Sequence, residues 1–421
     1  MTPRQRLQAT LNHVEPDRVC ADCGAGFQTG MGVDAVHRLC QAVLGDRDYR
    51  VKVIEPYQML GEIDEELRAA LDLDVAGVHP AGTMFGFRTD EGWKPATTMA
   101  GTPVLVPERF NVTTEPDGSW LIYPEGDASA PPRGRMPQGG FFFDAVIEQE
   151  PIDERNLDVA ANCEEFGPMP EEDVRLMADH TRYYAEQTNY GVYITLPGCA
   201  FGDVALVPAP WMRRPRGVRA VDAWYRVTLR NPDFVRAVFE KQCKFALQNV
   251  ERLAAAIGDN ADVAFVSGSD FGQQLGPLIS PRAYRTLFKP FHTRVNRLIH
   301  ERTKWKTFIH SCGSVVQFLE DFIEAGFDVL NPVQCAAADM DPRRLKREFG
   351  ERVVFWGGGV DTQATLPFGT PDEVYRQVRE RIAIFAPGGG FVFNAIHNVM
   401  SNVPTENLLA MFRAVKDSRR G

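Results

Sequence analysis

The chain has 421 residues, 44% hydrophobic and 24% charged, enough for one large domain with insertions or for two ordinary ones. Its 46 basic and 56 acidic side chains give a net charge of −10, which opposes binding to nucleic acid and to anionic membrane surfaces. No run of eighteen apolar residues occurs, the polar start MTPRQRLQATLNHVEPDR lacks a signal-peptide stretch, and the eight cysteines are scattered along the chain, so a cytoplasmic protein with reduced thiols is expected.

In chain order, eight short apolar segments end in Gly, Asp, Asn, His or a similar residue and are followed by helical patterns. They are Arg18–Cys23, Leu73–His79, Gly191–Leu196, Ala261–Ser267, Lys306–His310, Phe327–Asn331, Arg352–Trp356 and Gly390–Asn394. Alternation of this kind predicts a parallel α/β fold, and eight strands are the number that closes a (β/α)8 TIM barrel. Helical crossovers are predicted at Asp233–Ile257, Pro281–Thr303 and Thr370–Ala386, the last opening on a capping Thr followed by acids. Residues 81–170 break the rhythm: they are rich in Gly, Pro and Asp, and Phe110–Thr114 and Trp120–Tyr123 flank the turn EPDG. This interval is expected to be a β-rich insertion after the second strand of a single barrel domain spanning 1–421. Phe141–Phe143 and Trp211 read as core, or as walls for an aromatic ligand.

Working groups of such barrels lie at the carboxyl ends of the strands, so the residues that follow each strand are the candidates. The fifth strand ends in His310-Ser-Cys312, whose imidazole and thiol fall on one side of an extended segment because alternate residues point the same way. A lone H-x-C is ordinarily core; at a barrel rim the pair reads as two ligands of one ion. Imidazole with thiolate suits Zn2+, which in catalytic sites takes three protein ligands and keeps a position open. His397 after the eighth strand is the first candidate for the third ligand, with Asp270, Cys335 and Asp361 at the same rim. Asp270 and Asp361 are candidate catalytic carboxylates, and Gln273, Gln274, Gln334 and Asn398 are candidate substrate contacts. Cys20 and Cys23 stand an odd distance apart on a strand, face opposite ways and read as structural. GGGV at Gly357–Val360 and PGGG at Pro387–Gly390 match no phosphate-binding motif and read as tight turns.

Several stretches, taken in order, carry a resemblance: NHVEPDRV, SGSDFGQQLGPLISPRAYR, IHSCGS, EAGFDVLNPVQ, FWGGGVDTQATLPFGTPDEV and HNVMSNVPTENLLAM. Over about residues 1–80 and 190–417 the chain resembles the uroporphyrinogen decarboxylase and corrinoid methyltransferase superfamily. The resemblance implies a TIM barrel and two activities. One is metal-free decarboxylation of uroporphyrinogen; the other is methyl transfer involving a corrinoid carried on a partner protein, with zinc held by a His-x-Cys pair and a third ligand near the last strand. A substrate with eight carboxylates calls for arginines, yet the loop after the first strand reads GAGFQTGMG, without the arginine-bearing stretch of the decarboxylases. Methyl transfer is therefore expected.

Methyltransferases of this kind that act on thiols carry a second cysteine near the last strand, where this chain reads AIHNV. That departure points away from a thiol such as coenzyme M as acceptor and toward an O- or N-methyl donor, methoxylated aromatics included. In the expected mechanism His310 and Cys312 hold the zinc, Asp270 or Asp361 orients the donor or handles its proton, and the methyl group passes to the Co(I) corrinoid of the partner. The chain has no D-x-H-x-x-G cobalamin signature of its own. Barrels of this size commonly pair, which leaves a homodimer open.

Overall fold

The computed structural model describes residues 1–45 and 48–418. Eight parallel strands form the central sheet: β1 (Cys20–Ala21), β2 (Val75–Val78), β3 (Gly191–Thr195), β4 (Val263–Ser267), β5 (Lys306–His310), β6 (Val329–Asn331), β7 (Val354–Trp356) and β8 (Phe391–Phe393). They are hydrogen-bonded in the order β1-β8-β7-β6-β5-β4-β3-β2, so the chain order runs once round a nearly closed TIM barrel. All eight predicted segments contain one of these strands.

The remaining seam, between β1 and β2, is bridged by Asp74. Its N–H donates to the Ala21 carbonyl (2.8 Å) and its Oδ2 accepts from the Ala21 N–H (2.9 Å). A buried carboxylate needs compensating charge, and Arg6 (2.6 Å) and Arg18 (2.7 Å) supply it.

The barrel interior is filled by side chains, as expected for eight strands. Tyr193, Phe308 and Trp356 meet edge-on or tilted, with Tyr193–Phe308 ring centres 5.4 Å apart and Phe308–Trp356 5.5 Å apart. From the amino-terminal end the helix Pro3–Leu11 inserts Leu7 and Leu11 into this cluster. Gly191 makes room for it, because a Cβ there would lie 2.3 Å from the Leu7 side chain.

Outside the barrel the long helices Pro232–Ile257 and Pro371–Phe385 are crossovers between strands, and Thr405–Asp417 follows the last strand. Thr370 caps the second of these in a capping box with Glu373. The helix predicted over Pro281–Thr303 contains a π turn at Tyr284–Phe288 before it resumes at Lys289–Arg302. Pro290, which has no N–H for an ordinary helical bond, stands just beyond the turn.

Residues 81–170 carry two small β structures. Val112–Thr114, Trp120–Ile122, Gly134–Met136 and Asp144–Ala145 form an antiparallel sheet that includes the hairpin predicted around EPDG. Trp93–Thr97 and Pro103–Pro107 join a sheet with Val51–Glu55 and Leu60–Gly61, which precede β2. That partnership differs from a β unit starting at Ala81; its signal was the alternation V-K-V-I-E, whose Val51, Val53 and Glu55 are buried. Among the described residues no helix is long and apolar enough to cross a membrane.

Candidate metal centre

β5 ends at His310 and the chain turns at Gly313, carrying Cys312 back over the strand end. Gly313 has φ +81°, and a Cβ there would lie 2.5 Å from the Gln273 backbone nitrogen, so only glycine fits the turn. Cys312 Sγ lies 3.3 Å from His310 Nε2. The loop after β8 brings His397 edge-on to His310, with ring centres 5.3 Å apart. One ligand atom from each of the three lies within 4.8 Å of the others. A tetrahedral zinc with bonds of about 2.0 Å to nitrogen and about 2.3 Å to sulfur sets its ligands roughly 3.3–3.7 Å apart, so small side-chain rotations close the set.

The tautomer of His310 follows from its neighbours. Asn331 Nδ2 donates to the Trp356 carbonyl (2.8 Å), which turns its Oδ1 toward His310 Nδ1 at 2.5 Å. Nδ1 therefore carries the proton and donates, and Nε2 presents its lone pair to the Cys312 side. Burial pushes the imidazoles of His310 and His397 down to about 4, which keeps both neutral and able to bind a cation at neutral pH. Burial, with the nearby Asp270 carboxylate, pushes the Cys312 thiol well up. A cation that takes its sulfur must displace a proton.

The other candidate residues fall around this group in distinct ways. Asp270 Oδ1 accepts from the Cys312 N–H (2.7 Å), so it fixes the ligand loop from behind; burial raises its pKa. Gln334 Oε1 accepts from the Gly313 N–H (2.8 Å), Gln334 Nε2 donates to Gln274 Oε1 (2.9 Å), and Gln274 Nε2 donates to the Ala336 carbonyl (2.7 Å). The Gln273 carbonyl accepts from Ser314 N–H. Asp361 Oδ1 receives the Gln363 and Ala364 N–H groups (2.7 and 3.1 Å), the start of the helix Thr365–Phe368. Asn398 is engaged on the loop after β1: Oδ1 accepts from Gly30 N–H (2.6 Å), and Nδ2 donates to the Phe27 carbonyl and Gln58 Oε1. Cys335 lies apart from the three-ligand group and donates to the Val333 carbonyl.

Two cavities open here. The smaller, about 450 Å3, is lined by Cys312 and His397 together with Gln273, Gln274, Gln334, Asp361 and Asn398. The larger, about 620 Å3, lies between the loops after β3 and the segments 55–58 and 80–86, and its aromatic walls include Phe27, Tyr57, Trp211 and Trp224. Sequence reasoning missed Asn331, whose only signal is that register pairs it with His310. It also missed Glu55 and Asp203, carboxyls lining the larger cavity that burial raises to about 7. Cys20, Cys23, Cys163, Cys199, Cys243, Cys312 and Cys335 are free thiols.

A His/Cys/His group, its His310 buried and its Cys312 and His397 partly exposed, at the carboxyl rim of a (β/α)8 barrel defines the class: a barrel enzyme whose chemistry sits at the strand ends. The uroporphyrinogen decarboxylase (URO-D) family model matches residues 177–418, more than half of the chain, and the chain belongs to that family. It is 26% identical over 269 residues to the uroporphyrinogen decarboxylase of Pelobacter propionicus, an alignment covering 63% of this chain and 72% of the relative. It is also 26% identical over 201 residues to the methylated-thiol–coenzyme M methyltransferase of Methanosarcina mazei, covering 48% of this chain and 49% of that protein. A solved methyltransferase structure from Methanosarcina mazei has the same fold, with a TM-score of 0.53 at 14% identity over 99% of both chains.

Proposed function

We propose that the protein is a zinc-dependent methyltransferase that moves a methyl group from an O- or N-methyl donor, methoxylated aromatics included, to the reduced corrinoid of a partner protein. The observation that carries this reading is the His310–Cys312–His397 group, with His310 Nε2 unprotonated and aimed at the sulfur. A decarboxylase acting without metal has no use for such a set. The methyltransferase among its relatives supports the same side of the family.

The charges near the site favour it too. Uroporphyrinogen would bring eight carboxylates, whereas the described residues lining the two cavities include one cation, Arg219, and five acidic side chains. An ether or amine holds its methyl group because its leaving group is poor, and zinc in this set supplies Lewis-acid stabilisation of the charge left on the departing heteroatom. His310 and His397 stay neutral to receive the ion, and Asn331 holds the His310 ring in place. Asp270 keeps Cys312 in position through its backbone N–H. Asp361 lines the smaller cavity together with Cys312 and His397. The relative's name raises a methylated thiol as donor, but His397 stands where a thiol-specific site would carry a second cysteine.

The test is metal content of the purified chain by mass spectrometry, with His310→Ala, Cys312→Ser and His397→Ala in parallel, followed by a screen of methyl donors against Co(I) corrinoid. About one zinc per chain, lost in the variants, with methyl transfer that requires it, is the expected result. A well-folded chain without metal that decarboxylates uroporphyrinogen overturns the reading.

A further inference from the structure

The larger cavity has an unusual balance of charge. Its described lining holds four carboxyl side chains, Glu55, Glu165, Asp173 and Asp203, against one guanidinium, Arg219. A bound carboxylate would turn to that guanidinium, but every one of its five N–H groups is already engaged. Nη1 donates to Glu165 Oε1 (2.7 Å) and the Val207 carbonyl (3.4 Å). Nη2 donates to Glu165 Oε2 (3.0 Å) and the Ala161 carbonyl (2.9 Å), and Nε donates to the Arg216 carbonyl (2.6 Å). Asp173 is paired outward with Arg88 (2.8 Å). Glu55 accepts the Tyr57 and Gln58 N–H groups and has no cationic partner among the described residues, and Asp203 accepts from Ala205 N–H.

None of the three metal-group residues lines this cavity, but two side-chain links connect it to them. Phe27 and Gln58 line it and receive the Asn398 amide, and Asn398 in turn lines the smaller cavity beside His397. Asp203 also lines it and interacts electrostatically with Asp270, which holds the Cys312 N–H.

Resting on the methyl-transfer reading, we infer that this larger cavity is the donor pocket and that it selects aromatic methyl donors by charge, taking neutral or cationic ones and excluding those that carry a carboxylate. The aromatic walls bury a ring, and Asp203 accepts a hydrogen bond from a hydroxyl or ammonium group on it. An anionic ring would lose its hydration without gaining a free cation and would face uncompensated carboxyls. Burial raises the pKa of both Asp203 and Glu55 to about 7, and the nearby Asp270 adds to the rise at Asp203.

Three probes with one methoxy-aromatic ring separate the cases: 2-methoxyphenol, 4-hydroxy-3-methoxybenzoate and 4-hydroxy-3-methoxybenzylamine. Their binding to the zinc-loaded full chain at pH 8 is read by calorimetry without any corrinoid protein. The neutral and cationic rings are expected to bind at least about tenfold more tightly than the benzoate. Asp203→Asn should narrow that ratio, and Trp211→Ala should weaken the phenol. Glu55→Gln is the second variant if the first unfolds. Benzoate binding as tight as the phenol, or no binding of any probe, overturns the inference. Methyl transfer that runs equally well from the benzoate would sink the charge rule and leave the transferase reading standing. Selective binding with no transfer from any donor would support the charge preference and remove the transferase reading.

Discussion

The His310 imidazole and the Asn331 carboxamide meet at 2.5 Å, Nδ1 to Oδ1, at paired positions of β5 and β6. Because Asn331 is itself oriented by the Trp356 carbonyl on β7, three adjacent strands decide which nitrogen of His310 faces the candidate metal site. Removing the acceptor frees the ring to rotate and to change tautomer. Asn331→Ala is expected to lower zinc affinity about 10–100-fold, measured by competition with a chromogenic chelator. Unchanged affinity in a folded variant would mean that the ring is held by packing instead.

Zinc uptake should release a proton, and the source is identifiable. Both imidazoles are already neutral above about pH 4, whereas the Cys312 thiol stays protonated well beyond neutrality until a cation displaces its proton. Apparent affinity should then rise about tenfold per pH unit between pH 6 and 8. Calorimetry in two buffers of different ionisation enthalpy counts the protons; a value near zero would remove Cys312 from the ligand set.

Much of the barrel was legible because parallel strands buried on both faces read as short apolar runs with a polar residue at the exit. The H-x-C pair was legible for a local reason, since residues two apart on an extended segment share a face. Convergence of His397 on that pair depends on barrel closure, and the sequence offered only its position after the last strand. Asn331 was hidden because register between β5 and β6 is a tertiary property. Glu55 ends a strand paired with Leu60–Gly61 on one side and Pro103–Pro107 on the other, and that strand pattern does not mark it as the wall of a cavity. Asp203 sat in a loop after β3 with no motif around it.

Asp203 makes stability depend on pH in a direction opposite to that of a salt-bridged acid. Burial raises its pKa from the ordinary 3.8 to about 7 in the folded chain, so between those values the folded state binds more protons than the unfolded one. Stability from this group therefore falls as pH rises from about 4 to 7, by at most about 4 kcal/mol. Asp203→Asn keeps an oxygen for the Ala205 N–H and removes the titration. The variant should gain stability relative to the parent between pH 5 and pH 8, read as the difference in urea midpoints at the two values. Glu55 and Asp22 titrate in both chains and cancel in that comparison. A constant difference across the range would show that Asp203 ionises freely.

In the proposed reaction the corrinoid of a partner would have to reach the smaller cavity from outside, and the rim there carries apolar side chains that the chain itself leaves uncovered. Leu275, 86% exposed, forms the turn of the hairpin whose arm contributes Gln273 and Gln274 to the cavity wall. Phe368, 77% exposed, ends the short helix that follows Asp361–Gln363 on the same wall. Buried apolar anchors of this kind dominate docking energies, so the double variant Leu275→Glu with Phe368→Glu should raise the KM for the corrinoid protein about tenfold or more. Neither residue belongs to the ligand set, so zinc content and turnover with free Co(I) corrinoid should stay at parent levels. A KM for the corrinoid protein that stays at the parent value would place the docking surface elsewhere on the barrel.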